Sequence, residues 1–243
     1  VRLLPASPTF LNLFLISGVP SRYDLSSLRF ITYGTEPMPQ SLLKRIKEAF
    51  PKAKLIQTFG TSETGISQTS SRSSKSTLIK FDDPNTEYKI VDGELWLRSK
   101  SQILGYLNHE MSRFTEDGWF KTGDLLEPAS QEEGENYFRI VGRKQEIINV
   151  GGEKVTPSEV ESTLLEIPEI DDCLVYAESN AITGQIVAAE IVLKANCDPK
   201  TLKRAIKNYC RSKLSAYKIP VKIYFKEATN ISSRYKKMRL KES

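Results

Sequence analysis

With 243 residues, of which 39% are hydrophobic and 27% charged, the chain has an ordinary globular composition and room for one large domain or two smaller ones. A net charge of +5, from 35 basic and 30 acidic residues, is too dilute to indicate nucleic acid. Three widely spaced cysteines and one histidine support neither a disulfide framework nor a zinc site, and free thiols fit a reducing cytoplasm. No apolar run approaches the ~20 residues that span a bilayer. The longest, Phe10 to Ile16, is too short and has no secretory flank. The chain opens without an initiator methionine, from which we expect an excised fragment.

In chain order, Arg2 to Leu4 reads as a short strand and Thr9 to Ile16 as a buried helix. Leu28 to Tyr33 is a β-branched and aromatic run ending at Gly34. Pro39 opens a helix to Phe50 with Leu42, Leu43, Ile46 and Phe50 on one face, and Lys54 to Gln57 is a further strand. Strand, helix, strand is an α/β pattern, whose ligands sit outside the strands' carboxyl ends. Gln68 to Thr77 is serine-rich and reads as a loop or linker. Short strands follow: Tyr88 to Val91 and Glu94 to Leu97 about an Asp92-Gly93 turn, then Phe120 to Leu126 and Tyr137 to Val141.

The stretch from Gly142 to Glu161 joins this part to a second, smaller one, and a joint of this kind is where a ligand sits. Gly151-Gly152 permits a tight turn or close approach to a ligand. Thr156 as N-cap, Pro157 at the first helical position and Glu159 three residues after Thr156 mark a helix start. The helices expected beyond it are Pro157 to Glu166 and Pro199 to Leu214, the second capped by Asp198. The strands are Cys173 to Ala177, Val187 to Leu193 and Val221 to Phe225.

Four motifs stand in order: Gln57-Thr-Phe-Gly-Thr-Ser-Glu-Thr-Gly65, Gly118-Trp-Phe-Lys-Thr-Gly-Asp-Leu125, the Gly142 to Glu161 stretch, and Ser232-Ser-Arg-Tyr-Lys-Lys-Met-Arg239. Together they resemble the AMP-forming adenylate ligase superfamily: acyl-CoA synthetases, luciferases and the adenylation domains of peptide synthetases. The resemblance covers nearly the whole chain and matches the carboxyl-terminal half of such a ligase. It implies α/β plus α+β architecture: 1–80 as the end of a large α/β adenylate-binding domain, 81–143 as a small β-barrel-like subdomain, and 144–243 as a mobile α+β lid hinged near 143–146. Gln145 stands where the family commonly has Asp or Lys.

The residues read accordingly. Phe59 offers a flat face for a purine, or is a core aromatic at a strand end, and Gly60 allows close approach. Thr35, Glu36 and Pro37 match the segment walling the adenine. Ser62, where the family usually has threonine, can reach a phosphate oxygen, and Glu63 is a hard ligand for Mg²⁺. Asp124 can accept two hydrogen bonds from a ribose diol, and Arg143 donates to ribose or phosphate. The resemblance places the catalytic lysine at Lys236, with Lys237 as an immediate rival and Tyr235 in place of the usual glycine. Lys236 would put a point charge on the carboxylate and α-phosphate oxygens. Gly151 and Gly152 would line the entry of a pantetheine arm.

The family's glycine- and hydroxyl-rich triphosphate loop is not found in this sequence, so the chain alone is not expected to be active. The implied function is activation of a small carboxylic acid with ATP, through an acyl-adenylate, and transfer to coenzyme A. Alternatives are a carrier-protein phosphopantetheine as acceptor, or a non-catalytic binding module that keeps the ligase fold.

Overall fold

The computed structural model describes residues 1–195, 197–232 and 236–239, and they form two compact units, each discontinuous in sequence. One comprises Val1–Ser7, Asp24–Met38 and Lys47–Gln145; the other comprises Pro8–Tyr23, Pro39–Ile46 and Glu146–Ser243. These units are not the contiguous ranges 1–80, 81–143 and 144–243 that the resemblance implies.

In the first unit, β1 (Leu3–Ala6), β2 (Phe30–Tyr33) and β3 (Lys54–Gln57) form a parallel sheet in that order. Ile31, Tyr33, Leu55 and Gln57 are buried at alternate positions, the period of two that a strand imposes. Beyond β3, β4 (Phe59–Thr61) and β5 (Gly65–Ser67) make an antiparallel hairpin. A six-stranded antiparallel sheet follows, from β6 (Thr69–Ser71), β7 (Leu78–Phe81), β8 (Thr86–Val91), β9 (Glu94–Ser99), β10 (Phe120–Pro128) and β11 (Phe138–Arg143). Its order is β6-β7-β11-β10-β9-β8, over a core of Phe59, Ile79, Phe81, Leu95, Leu97, Leu126 and Phe138. The β8–β9 turn places Asp92 and Gly93 at φ of 52° and 79°, the left-handed pair that a two-residue hairpin needs.

The serine-rich stretch is not a linker. Ser71 Oγ accepts from Gln57 N at 2.7 Å, Ser74 Oγ accepts from Leu55 N at 3.0 Å, and Thr69 Oγ1 donates to the Gln57 carbonyl at 3.2 Å. Its hydroxyls satisfy the outer edge of β3, where an unpaired strand would otherwise leave backbone groups open.

In the second unit, α1 (Pro8–Ile16), α2 (Val19–Arg22) and the first turns of α3 (Gln40–Ala49) accompany the C-terminal elements. Asn12 on α1 donates to the Asp171 carbonyl at 3.1 Å and accepts from Arg45 on α3 at 3.1 Å. The sheet contains β12 (Ile148–Val150), β13 (Glu153–Val155), β14 (Ile170–Asn180), β15 (Gly184–Leu193) and β16 (Lys222–Lys226), in the order β13-β12-β15-β14 with β16 paired to β15. Helices α4 (Pro157–Leu164) and α5 (Pro199–Lys213) bury Val160, Leu164, Ile206 and Cys210 in one core with Val175, Val187, Ala189 and Ile191. Each fully buried aliphatic of this kind contributes about 1.5–3 kcal/mol.

Both expected helix starts are present, but only one of the two caps is made. Asp198 Oδ2 accepts from Thr201 N at 3.2 Å, whereas the Thr156 side chain makes no capping bond. Glu159, expected to close that capping box, instead pairs with Lys218 at 2.6 Å. Among the described residues no helix is long and apolar enough to cross a membrane.

Gly34 follows β2, and a Cβ built there would stand 2.5 Å from the Thr58 carbonyl oxygen. Gly34→Ala must therefore displace the backbone joining β3 to β4. We expect a loss of about 1–3 kcal/mol, typical of overpacking, and a Tm lower by about 2–4 °C per kcal/mol, read by circular dichroism. Gly105→Ala, whose Cβ would meet only Met111 Sδ at 3.9 Å, is the control and should leave Tm unchanged.

Candidate active site

The carboxyl ends of β2 and β3 present adjacent loops. Thr35, Glu36 and Pro37 leave β2, with Thr35 exposed and at φ 72°. A left-handed threonine is a strained conformation of the kind held at binding loops. Phe59 and Gly60 leave β3.

Phe59 departs from the expectation of an open purine platform. It is 7% exposed, and its ring meets Phe81 edge-on at 5.5 Å and 80°. Its apolar area is more stable in the core than facing water, so it packs as a core aromatic. Gly60 is likewise fixed by its own hairpin: a Cβ there would lie 2.9 Å from Ile66 Cα and 3.0 Å from the Gly65 carbonyl oxygen.

Ser62 and Glu63 form the tip of that hairpin. Thr61 Oγ1 accepts from Thr64 N at 3.0 Å and bonds Thr64 Oγ1 at 2.9 Å, closing the turn beneath them. Ile103 N donates to the Glu63 carbonyl at 2.8 Å, tying the tip to the following segment. Both residues line an open cavity of about 390 Å³ with Tyr106, Asn108 and His109, the chain's one histidine. Tyr106 donates its hydroxyl to Glu63 Oε1 at 2.9 Å. Burial raises the Tyr106 phenol pKa, and the hydrogen bond and charge of Glu63 raise it further. A single oriented carboxylate beside a hydroxyl in an open cavity fits Mg²⁺, which keeps several waters and takes few protein ligands. Among the described residues no cluster of three or more His, Cys, Asp or Glu side chains forms a closed metal cage.

Asp124 lies on β10 directly across from Arg143 on β11. Its Oδ1 is 3.1 Å from Arg143 Nε, with the carboxylate side chain 9% exposed and the guanidinium side chain 43% exposed. The irregular stretch of β10 before it, where the pairing with β9 shifts register, is held by hydrogen bonds. Asp124 N donates to Thr122 Oγ1 at 3.0 Å, Thr122 Oγ1 donates to the Leu95 carbonyl at 2.7 Å, and Gly123 sits at φ 76°. Glu94, which the sequence reading passed over, organises this stretch. It is 5% exposed, accepts from Gly123 N at 3.0 Å and pairs with Lys144 at 2.9 Å. An acidic residue at a strand start gives little signal by itself. Tyr106 was also missed, since nothing distinguishes one tyrosine in a polar loop until Glu63 is beside it.

In the second unit, Gly151 and Gly152 form the β12–β13 turn at φ 61° and 97°. Gly152 N donates to Asn149 Oδ1 at 2.9 Å, and Gly151 N donates to the Thr183 carbonyl at 2.9 Å. The turn is exposed, and positive φ at both positions accounts for both glycines.

Of the terminal motif, Ser233, Arg234 and Tyr235, with Lys241 beyond it, lie outside the described residues. The motif's two lysines differ sharply. Lys237 has 9% side-chain exposure, lies 3.3 Å from Asp172 Oδ1 and 3.8 Å from Glu161 Oε2, and donates to the Cys173 carbonyl. Burial lowers its pKa, but the two carboxylates more than reverse this, so the net shift is upward and the ammonium stays charged. Lys236 is half-exposed, and among the described residues no ion pair or side-chain hydrogen bond holds its ammonium. Arg239 pairs with Glu161 at 2.8 Å and Glu146 at 3.0 Å.

Comparison with known proteins follows the same outline. Residues 1–107 match the family model for an AMP-binding enzyme, and residues 159–233 match that for an AMP-binding enzyme C-terminal domain. The chain is similar to 4-coumarate--CoA ligase-like 2 of Arabidopsis thaliana, with 32% identity over 229 residues, covering 85% of this chain and 39% of that protein. It is similar to Acyl-CoA synthetase 7 of Caenorhabditis elegans, with 29% identity over 233 residues, covering 90% and 42%. A crystal structure of the anthranilate CoA ligase AuaEII in complex with anthranoyl-AMP superposes with a TM-score of 0.80 at 27% identity, covering 96% of this chain and 47% of that one. The chain thus spans about two fifths of the length of these curated relatives.

The Tyr106–Glu63 contact gives a pH prediction. Negative charge on Glu63 opposes formation of the phenolate, so Glu63→Gln should lower the pH at which Tyr106 ionises. The difference in phenolate absorbance between each protein and its Tyr106→Phe counterpart isolates that titration. An unmoved titration would show that Glu63 does not control Tyr106.

Proposed function

The chain belongs to the AMP-binding enzyme family of adenylate-forming ligases, and from that premise we propose that it is the carboxyl-terminal portion of an acid–thiol ligase of the acyl-CoA synthetase type. The supporting observation is the nearly buried Asp124 carboxylate on β10, across from Arg143, in a stretch that Glu94 and Thr122 hydrogen-bond in place. A rigid carboxylate beside a guanidinium suits a nucleotide whose sugar offers hydroxyl donors and whose phosphates carry negative charge.

In this reading, Asp124 accepts from the ribose hydroxyls and Arg143 donates to ribose or phosphate. Thr35, Glu36 and Pro37 border the base, while Gly60 leaves room for it. Ser62 contacts a phosphate oxygen, and Glu63, oriented by Tyr106, holds Mg²⁺ on the phosphates. A carboxylate oxygen of the acid attacks the α-phosphorus, and the bond to pyrophosphate breaks. Lys236 stabilises the charge that shifts onto the phosphate oxygens, a preorganised interaction of the kind that dominates many catalytic effects. The thiolate sulfur of coenzyme A then attacks the acyl carbon, the acyl–oxygen bond breaks, and AMP departs. Residues 1–80 end the large domain, 81–143 make the small β subdomain, and 144–243 form the lid, pivoting near 143–146. Gly151 and Gly152 border the pantetheine path. The names of the relatives, ligases and synthetases of CoA, support coenzyme A over a carrier protein as acceptor. The three free cysteines support a reducing compartment, the cytoplasm.

The test is acid-dependent ATP–pyrophosphate exchange by the full-length protein over a panel of aryl and acyl carboxylic acids. We expect exchange with at least one acid, and Asp124→Ala should raise the KM for ATP by about 10-fold or more through lost hydrogen bonds to a charged group. Lys236→Ala should lower exchange by about 100-fold with little change in ATP affinity. No exchange with any acid would favour a non-catalytic module.

A further inference from the structure

The two adjacent lysines of the terminal motif have opposite environments, and what creates the difference also fixes where Lys236 stands. Thr229, Lys237 and Arg239 are each drawn onto buried carboxylates. Thr229 donates to Asp172 Oδ2, Lys237 sits between Asp172 and Glu161, and Arg239 spans Glu161 and Glu146. Glu161 is held in turn by Val175 N, which donates to its Oε1 at 2.9 Å. Backbone bonds from Ser232 N to the Lys236 carbonyl at 2.8 Å and from Met238 N to the Asn230 carbonyl at 3.1 Å lock the same pairing.

Along extended chain, neighbouring side chains point to opposite faces, so a buried Lys237 and Arg239 turn Lys236 and Met238 the other way. A one-residue slip reverses all four. It would offer Lys236 to Asp172 and set Met238 against Glu161, stranding buried carboxylates without a partner, which is strongly unfavourable.

We propose that Lys237 is a positioning residue for Lys236: its buried pairing with Asp172 and Glu161 fixes the register that leaves the Lys236 ammonium free to act on substrate. This rests on the reading of Lys236 as the adenylating lysine. The arrangement carries a specific vulnerability. With the Lys237 charge removed, the adjacent Lys236 carries an ammonium that could pair with Asp172 in its place. Misplacement by about 1 Å is enough to cost about 100-fold in rate.

The experiment uses the full-length protein with an acid that supports exchange. It measures acyl-adenylate formation and, separately, thioester formation from supplied acyl-adenylate and coenzyme A. Lys237→Met should lower adenylation by about 10- to 100-fold while thioester formation stays within about threefold. Lys237→Met/Asp172→Asn removes the carboxylate that attracts Lys236 and should recover most of the adenylation rate. Where Lys237→Met does not accumulate as folded protein, Asp172→Asn takes its place. It keeps the cation but loosens its hold, and it should lower adenylation alone. An equal fall in both half-reactions, or no change in either, would overturn the proposal. Lys236→Ala, run alongside, separates the two failures. If it leaves adenylation intact, the reading of Lys236 is wrong; if it abolishes adenylation while Lys237→Met does not, only the positioning role is wrong.

Discussion

The second unit depends on a cluster of buried charge: Lys237 and Arg239 from the terminal segment against Glu161, Asp172 and the less buried Glu146. Such groups leave water at a tolerable cost only when paired, and here each charge has an opposite partner, with the Val175 amide, the Thr229 hydroxyl and the Cys173 carbonyl adding hydrogen bonds. The net stability gained over a well-packed apolar core is small for clusters of this kind. The gain is in specificity. Apolar side chains tolerate several registers, whereas two cations spaced two residues apart above fixed carboxylates tolerate one.

The first unit solves a similar problem at lower charge density. Glu94 holds the Gly123 amide and Lys144, and Thr122 links the Asp124 amide to the Leu95 carbonyl, so Asp124 stands on a well-tied stretch of β10. Arg143, directly across the ladder, keeps the carboxylate paired while remaining partly exposed. In both units the group proposed to meet the nucleotide is flanked by a pair that constrains it without using it.

Much of this was legible in the sequence, and the reasons differ by element. Period-two burial in β2 and β3, the Asp92-Gly93 turn and the Asp198 cap follow from local propensity and backbone geometry, which the residues encode directly. The motifs carrying Asp124, Glu63 and Lys236 were legible as a family resemblance because four of them stand in order along the chain. Three readings failed for one shared reason: they turned on tertiary contacts. The hydroxyls of Ser71 and Ser74 look like linker composition until the edge of β3 is beside them. Phe59 reads as a platform until Phe81 meets its ring. Lys237 reads as a rival to Lys236 until Asp172, 65 positions earlier, is found beside it. Tyr106 and Glu94 were silent because their partners also lie far away in sequence.

In the proposed function, Lys236 alone of the lysine pair is delivered to the nucleotide. An adenosine analogue carrying an amine-reactive sulfonyl fluoride in place of its phosphates tests this directly on the full-length protein, with the modified residue located by peptide mass spectrometry. The account predicts modification at Lys236, suppressed by ATP, with Lys237 untouched. Modification of Lys237, or of Lys236 with no protection by ATP, would contradict it.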